Sequence, residues 1–260
     1  MKGIWSITVK EIKSYFVSPV AYVVLGSFTL IMGWFFFNLV ARFTQMAKIY
    51  EMMKRPDILM RMNLNDMVVQ PLFYNMSIIL IILTPIITMR LIAEEKNSKT
   101  DELLLTSPIS TADIVLGKFF GALIFFAIIL GIAGLFIVEL FVYSNPKPEL
   151  ATVLSGFFGM FLMGSSFMAI GLFTSSLTNN QIVAAVSSFL ILLMFYVINI
   201  ISSSAVSPTI STVLNYLSLI KQFEDFGKGV IDIRNIVYYL SFITVGVFFS
   251  KLALDSLRWR

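Results

Sequence analysis

The sequence predicts an all-α integral membrane protein, on the basis of its composition and its apolar runs. Hydrophobic residues make up 58% of the 260 residues, and the mean hydropathy is +0.88. Apolar runs of about 20 residues recur, and each is long enough to cross a ~30 Å hydrocarbon layer. These runs do not alternate apolar and polar residues as barrel strands do, so helices are the expected spanning elements.

Six apolar runs predict six transmembrane helices within one transmembrane domain, 1–260. They occupy residues 20–40, 71–92, 115–140, 153–176, 182–201 and 236–254. An even number of spans places both termini on one side of the membrane, and Lys2, Lys10 and Lys13 favour the cytoplasmic side. The first run is too long for a cleavable signal peptide and lacks a cleavage site.

Residues 1–19 predict an amphipathic helix before the first span. Apolar side chains recur there at helical spacing, at Trp5, Val9, Ile12 and Phe16, while the lysines fall on other faces. Such a helix is expected to lie along the inner membrane surface until Pro19 turns the chain. An ordinary membrane flank without any partner is the alternative.

Residues 90–118 interrupt the apolar sequence with nine charges of both signs. The second span is expected to continue through residues 90–96, so its carboxylates would project beyond the lipid. A cap and acids at residues 100–102 predict a short helix that carries leucines at residues 103–105 and ends at Pro108. The chain would thus hold a short helix transversely between two spans.

The three leucines of this short helix need a cover, because they would otherwise form an apolar knob in water. Either a partner protein covers them or they dip into the lipid interface. The third span is expected to begin at a second cap, Ser110, with Asp113 three residues later.

Small residues predict where helices approach closely. Eight of the 14 glycines lie between Gly117 and Gly171, and glycine lets helix backbones meet in lipid. The third and fourth spans are therefore expected to form a tightly packed pair. The residues assigned to this helix packing are Gly117, Gly121, Gly131, Gly134, Gly156 and Gly159.

Residues 202–235 are expected to form the external segment before the last span. Ile210, Val213, Leu214 and Leu217 make one apolar stripe, and the stretch ends at Gly227. This pattern is consistent with an interfacial or re-entrant helix over residues 209–226.

The sequence lacks the residues on which several classes of enzyme and transporter usually depend. The chain contains no cysteine and no histidine, which removes thiol nucleophiles and the commonest metal ligand. Neither Gly117-Lys118 nor Gly227-Lys228 fits a phosphate-binding loop. A proton- or sodium-coupled carrier ordinarily needs ionisable residues near the centre of its spans, and no charged residue falls there in this sequence. We expect no catalytic site, no metal site and no nucleic-acid partner. We also expect the energy source to lie outside the chain.

Residues 90–118 resemble the cytoplasmic loop of ABC-2 type permeases, the membrane halves of a class of ATP-binding-cassette transporters. The resemblance extends along the whole chain, and the tail, residues 221–242, is similar to the permease associated with bacterial gliding motility. At Lys99 many relatives have glycine, so a tight glycine turn is missing. The matching loop positions are Arg90, Glu94, Glu95, Thr100, Glu102, Leu103, Leu104, Thr106, Pro108, Gly117 and Lys118.

The resemblance implies an exporter permease in the bacterial inner membrane, with both termini cytoplasmic. Two six-helix subunits, of the same or related chains, would form a dimer, and the loop of residues 93–114 would seat its coupling helix in a cytoplasmic ABC ATPase. ATP and Mg would bind that ATPase, leaving this chain without a cofactor. The residues expected at the ATPase interface are Arg90, Glu94, Glu95, Thr100, Glu102, Leu103, Leu104, Thr106, Pro108 and Lys118.

Two other functions stay open at the level of sequence. The ATPase-driven subunits could transmit force to an envelope or periplasmic auxiliary protein, without a released solute, as in a gliding-type system. The chain could also be a membrane scaffold or enzyme that has no ATPase partner.

Overall fold

A computed structural model describes residues 2–59, 62–100, 109–204 and 208–258, and these ranges contain helices and no strand. Six helices within them are long and apolar enough to cross a membrane. The predicted all-α membrane architecture with six spans is thus confirmed. The short helix expected over residues 101–108 lies outside the described residues.

The helices follow the chain from α1 to α11. Their bounds are α1 Lys2–Val17, α2 Pro19–Met52, α3 Pro56–Leu59, a π-helical turn Asn65–Val69, α4 Gln70–Thr88, α5 Ala93–Asn97, α6 Thr111–Tyr143, α7 Leu150–Leu177, α8 Gln181–Ser204, α9 Pro208–Leu217, α10 Phe223–Gly227 and α11 Ile233–Arg258. The candidate spans are Pro19–Met52, Asn65–Asn97, Thr111–Tyr143, Leu150–Leu177, Gln181–Ile198 and Ile233–Ser256.

The fourth span, α7, lies at the centre of the bundle. Its most apolar stretch is 78% buried inside the protein, against 22% for the first span and 11% for the last. Glycines of α7, which have no side chain, allow neighbouring helices to approach it closely. A Cβ on Gly156 would lie 2.3 Å from the Phe73 ring of α4, and one on Gly164 would lie 2.0 Å from the Phe126 ring of α6.

The predicted pairing of the third and fourth spans is wrong for most of the glycines assigned to it. Gly117 and Gly121 of α6 face α1, while Gly159 faces Phe226 of α10. Gly134 lies near Phe157 of α7, and a Cβ on Gly131 would have no described neighbour within 4 Å. The reason is that α1 lies against the first turns of α6, while α7 is central and meets several elements at once.

Helix α1 packs on the bundle through a face other than its predicted apolar stripe. Ile7, Thr8 and Tyr15 are buried, whereas Trp5 and Phe16 of the stripe are 65% and 36% exposed. Val9 and Ile12 of the stripe are half-buried, and the Phe16 ring lies edge-on to Phe125 of α6, so only part of the stripe stays on the outside. The turn into α2 follows the sequence: the Ser18 side chain accepts a hydrogen bond from the Val20 amide, and Pro19 opens the helix.

The segment before the last span forms two short helices, α9 and α10, instead of one helix over residues 209–226. The first of these helices ends before Ser218, whose side chain accepts a hydrogen bond from the Lys221 amide. Phe223 and Phe226 of α10 are buried. The Tyr239 hydroxyl of α11 donates to the Leu219 carbonyl at 2.6 Å, which fastens this segment to the bundle.

Candidate functional site

One end of the bundle gathers α1, α5, the start of α6 and the C-terminal end of α11, and we call it the terminal side. The Thr111 hydroxyl at the start of α6 donates to the Asp255 carboxylate of α11 at 2.6 Å. Ser110 caps α6 as its sequence predicts, since its side chain accepts from the Asp113 amide at 3.1 Å. Both ends of the charged loop, residues 98–110, therefore return to this side.

The break between α4 and α5 is held by a serine of the central span. The Ser175 hydroxyl donates to the Met89 carbonyl at 3.0 Å and accepts from the amides of Ile92 and Ala93 at 3.1 Å. These bonds satisfy backbone groups that the broken helix would leave unpaired. The direction of α5 is thus set by α7.

The centre of the site is the Lys118 cluster, which consists of Glu11, Glu95 and Lys118. The Lys118 ammonium lies 2.7 Å from the Glu11 carboxylate of α1 and 2.9 Å from the Glu95 carboxylate of α5. Its side chain is only 4% exposed. Two carboxylates around one buried cation neutralise it in surroundings where an unpaired charge would be costly.

Close approach of α1 to α6 places the Glu11 carboxylate on Lys118. A Cβ on Gly117 would lie 2.7 Å from Ile7, and one on Gly121 would lie 2.6 Å from the Glu11 Cβ. The Thr8 hydroxyl also donates to the Gly117 carbonyl at 3.0 Å. The two glycines that flank Lys118 thus let α1 lie against α6.

Arg90 ties the end of the second span to α5 and to the α1–α2 elbow. Its guanidinium donates to both oxygens of Glu94, at 2.9 and 3.2 Å, and to the Ser18 hydroxyl. Such a two-pronged pair fixes direction as well as charge. The elbow and α5 are therefore joined by a single side chain.

Tyr15 provides a further contact between α1 and the second span. Its hydroxyl donates to the Ile87 carbonyl at 3.1 Å, and its ring stacks on Phe125 with centroids 4.7 Å apart. Burial raises the pKa of the Tyr15 hydroxyl well above its usual value, the Glu11 carboxylate raises it further, and Arg90 lowers it. Tyr15 therefore stays a neutral donor across the physiological range.

A polar cavity of about 290 Å³ separates α1 from α5, with Lys10, Ser98 and Thr100 among its lining residues. The Lys10 ammonium reaches the Glu95 carboxylate across it at 3.3 Å. Six of its eleven lining residues are charged. Charged groups of three elements thus converge beside the loop.

Lys99 adopts a left-handed conformation, with φ of 56°. The sequence predicts that a tight turn is missing at this position because it lacks glycine, but the chain keeps a left-handed residue there. The next residue, Thr100, is exposed, and its hydroxyl lies 3.0 Å from that of Ser98. A lysine in this conformation costs of the order of 1–2 kcal/mol.

The structure brings together part of the predicted interface. Arg90, Glu94 and Glu95 line one cavity, although Arg90 pairs with Glu94 and Glu95 pairs with Lys10 and Lys118. Lys118 is 3% exposed, which differs from its predicted direct contact with a partner. The predicted positions Glu102, Leu103, Leu104, Thr106 and Pro108 lie outside the described residues.

Sequence reasoning missed Glu11, Tyr15 and Ser175. Glu11 had a usable signal, because it is the only acidic residue before Glu51. Tyr15 and Ser175 had none, since a tyrosine or serine among apolar residues is ordinary. Within the described part of the chain, no cluster of acidic side chains could hold a metal ion.

The chain was compared with known proteins. The model of a family described as ABC-2 family transporter protein matches residues 5–253. This range begins within α1, ends within α11 and includes all three members of the Lys118 cluster. The search of curated proteins gave no match. With nearly its whole length matched, the chain belongs to the ABC-2 family of membrane transporter proteins.

Proposed function

We propose that this chain is the permease subunit of an exporter in the bacterial inner membrane, driven by a separate cytoplasmic ABC ATPase that binds ATP and Mg. Two such six-helix subunits, identical or related, would form the pathway. Membership of the ABC-2 family supports the permease role. Lysines near the N-terminus support a cytoplasmic position for the terminal side.

The placement of the Lys118 cluster beside the charged loop is the observation that carries this proposal. The loop leaves from α5 and returns at α6, and the cluster joins those two helices to α1. A push on the loop by the ATPase would therefore reach three elements together, and Arg90 would pass it to the α1–α2 elbow. Rigid, contiguous contacts of this kind can carry coupling between distant sites.

The distribution of charge within the spans favours an external energy source. In α6, the charged residues Asp113, Lys118 and Glu139 lie toward the two ends of a 33-residue helix. Proton- or ion-coupled carriers usually place ionisable groups near the middle of the membrane. Conformational change driven by ATP in a partner needs no such group.

Co-purification from native cells in mild detergent tests the ATPase partner. The natural chain is expected to recover an ABC ATPase, and the double variant Glu102→Lys, Leu103→Asp is expected to lose it while keeping the thermal stability of the natural chain. Lys147→Glu, an exposed change in the loop between α6 and α7, serves as the matched control and should retain the ATPase. Absence of an ATPase with every chain, even after crosslinking, would refute the proposal.

Reconstituted complexes then test export. ATP turnover is expected to rise with the transported solute, for which the apolar walls favour amphipathic, polymeric or lipid-linked cargo. An ATPase complex that no solute stimulates would instead indicate force transmission to an envelope protein, the role expected of a gliding-type relative.

A further inference from the structure

A long apolar groove runs along the outside of the bundle between α6, α7 and α11. It encloses about 530 Å³, and no member of the Lys118 cluster lines it. Antiparallel helices form its two sides: α6 contributes residues from Ala112 to Leu123, and α11 contributes residues from Leu240 to Lys251. Each set repeats every three or four residues, so each is one helix face.

The length of the groove corresponds to one leaflet. Eleven residues separate Ala112 from Leu123, and eleven separate Leu240 from Lys251, which at 1.5 Å per residue is about 16 Å. Half of a ~30 Å hydrocarbon core is about 15 Å. The groove begins at the terminal side, where Thr111 bonds Asp255, so a groove of this length would reach about the middle of the hydrocarbon core.

The walls offer an apolar surface to whatever occupies them. Two hydroxyl side chains line the groove, and both are already satisfied by their own helices. Ser165 donates to the Phe161 carbonyl at 2.6 Å, and Thr244 donates to the Leu240 carbonyl at 2.7 Å. A hydrocarbon chain therefore fits these walls better than a polar ligand does.

Lys251 gives the groove a positive charge at its terminal-side end. Within the described part of the chain, no carboxylate pairs with it at ion-pair distance. Asp255, one helical turn further, accepts the Thr111 hydroxyl instead. A lysine at this depth extends its ammonium to the level of the lipid headgroups, where it attracts anionic groups.

We propose that this groove binds one anionic phospholipid of the terminal-side leaflet. Its headgroup lies at Lys251, and one acyl chain follows α6 and α11 as far as Leu123 and Leu240. The proposal does not depend on an ATPase partner or on export. It gives the chain a specific lipid site on the face that α6, α7 and α11 share.

Photocrosslinking in vesicles tests the proposal. The probes are phosphatidylglycerol and phosphatidylcholine, each with a diazirine at the end of one acyl chain and each in a phosphatidylcholine background. In the natural protein, adducts are expected around Leu123, Phe161 and Leu240, with about five times more from phosphatidylglycerol. A fivefold ratio corresponds to about 1 kcal/mol for one lysine near anionic lipid.

Matched variants test the contribution of the Lys251 charge separately from that of the apolar walls. Lys251→Glu is expected to bring the headgroup ratio to one or below, whereas Lys13→Glu, an exposed lysine of α1, should leave it unchanged. Leu116→Trp fills the groove and should reduce adducts from both lipids severalfold. Leu135→Trp adds the same ring at a 66% exposed position of α6 outside the groove and should not reduce the adducts.

Three results would overturn the proposal. These are equal labelling by the two lipids in the natural protein, a ratio that survives Lys251→Glu, and labelling spread evenly over the lipid-facing helices. Absence of groove adducts while other faces are labelled would overturn the proposal as well. The comparison of the two lipids uses only the natural chain, so a variant that fails to fold cannot leave the question undecided.

Discussion

Removing the buried cation of the Lys118 cluster should destabilise the protein strongly. Lys118→Met keeps a side chain of similar length but leaves the Glu11 carboxylate, which is only 14% exposed, without an ammonium partner. The Glu95 carboxylate, which is 17% exposed, keeps only its contact with the exposed Lys10. Breaking a buried pair in this way costs about 3–5 kcal/mol. Proteins of this size change Tm by about 2–4 °C per kcal/mol, so the expected fall is about 6–20 °C.

Thermal unfolding in one detergent, at one scan rate, measures this change. Lys10→Met is the matched control, because Lys10 contacts the same Glu95 from a side chain that is 66% exposed, and exposed pairs contribute about 1 kcal/mol or less. The triple variant Glu11→Gln, Glu95→Gln, Lys118→Met leaves no buried charge unpaired, since Lys10 is 66% exposed, and it should recover much of the loss. Equal melting of Lys118→Met and Lys10→Met would refute the reasoning.

Three further predictions concern packing, ionisation and backbone strain. Gly171→Ala should lower Tm, because its Cβ would lie 2.0 Å from the Thr88 hydroxyl, whereas Gly131→Ala, with no described neighbour within 4 Å, should leave Tm unchanged or raised; equal melting would contradict this. The raised pKa of Tyr15 means that its neutral form stabilises the fold below about pH 10 and that this contribution is lost as the pH rises toward the folded-state value. Tyr15→Phe should therefore show a shallower fall of Tm than the natural protein between pH 9 and about pH 11.5, and parallel curves would argue against it. Lys99→Gly should relieve the φ of 56° and raise Tm by about 2–4 °C per kcal/mol of strain released, while Lys99→Ala, which keeps a Cβ, should not; a rise with both would point away from the backbone.

The local sequence predicted where two of the helices begin. Ser110 caps α6 as its spacing to Asp113 predicts, and Pro19 opens α2 directly after Ser18. A cap depends on bonds within four residues, so neighbouring residues suffice to specify it. Lys99 shows the limit of this reasoning, because the missing glycine predicted the loss of a turn that the chain in fact keeps.

The partners of the glycines could not be predicted. Gly117 and Gly121 admit α1, and Gly159 admits α10, although their spacing suggested one interface between the third and fourth spans. In lipid, both the protein-facing and the lipid-facing sides of a helix are apolar, so hydropathy does not show which neighbour a helix meets.

The sequence by itself determined that this membrane protein has six helices long and apolar enough to span a bilayer within its described residues, because the free energy of burying about 20 apolar residues in lipid is a local property of each run. Tertiary structure alone decided that Glu11 and Lys118, 107 residues apart, form one ion pair. It also decided that Lys118 is an internal member of a cluster instead of a surface contact. Such pairing depends on how helices rotate and approach one another, and only the packed bundle fixes those rotations.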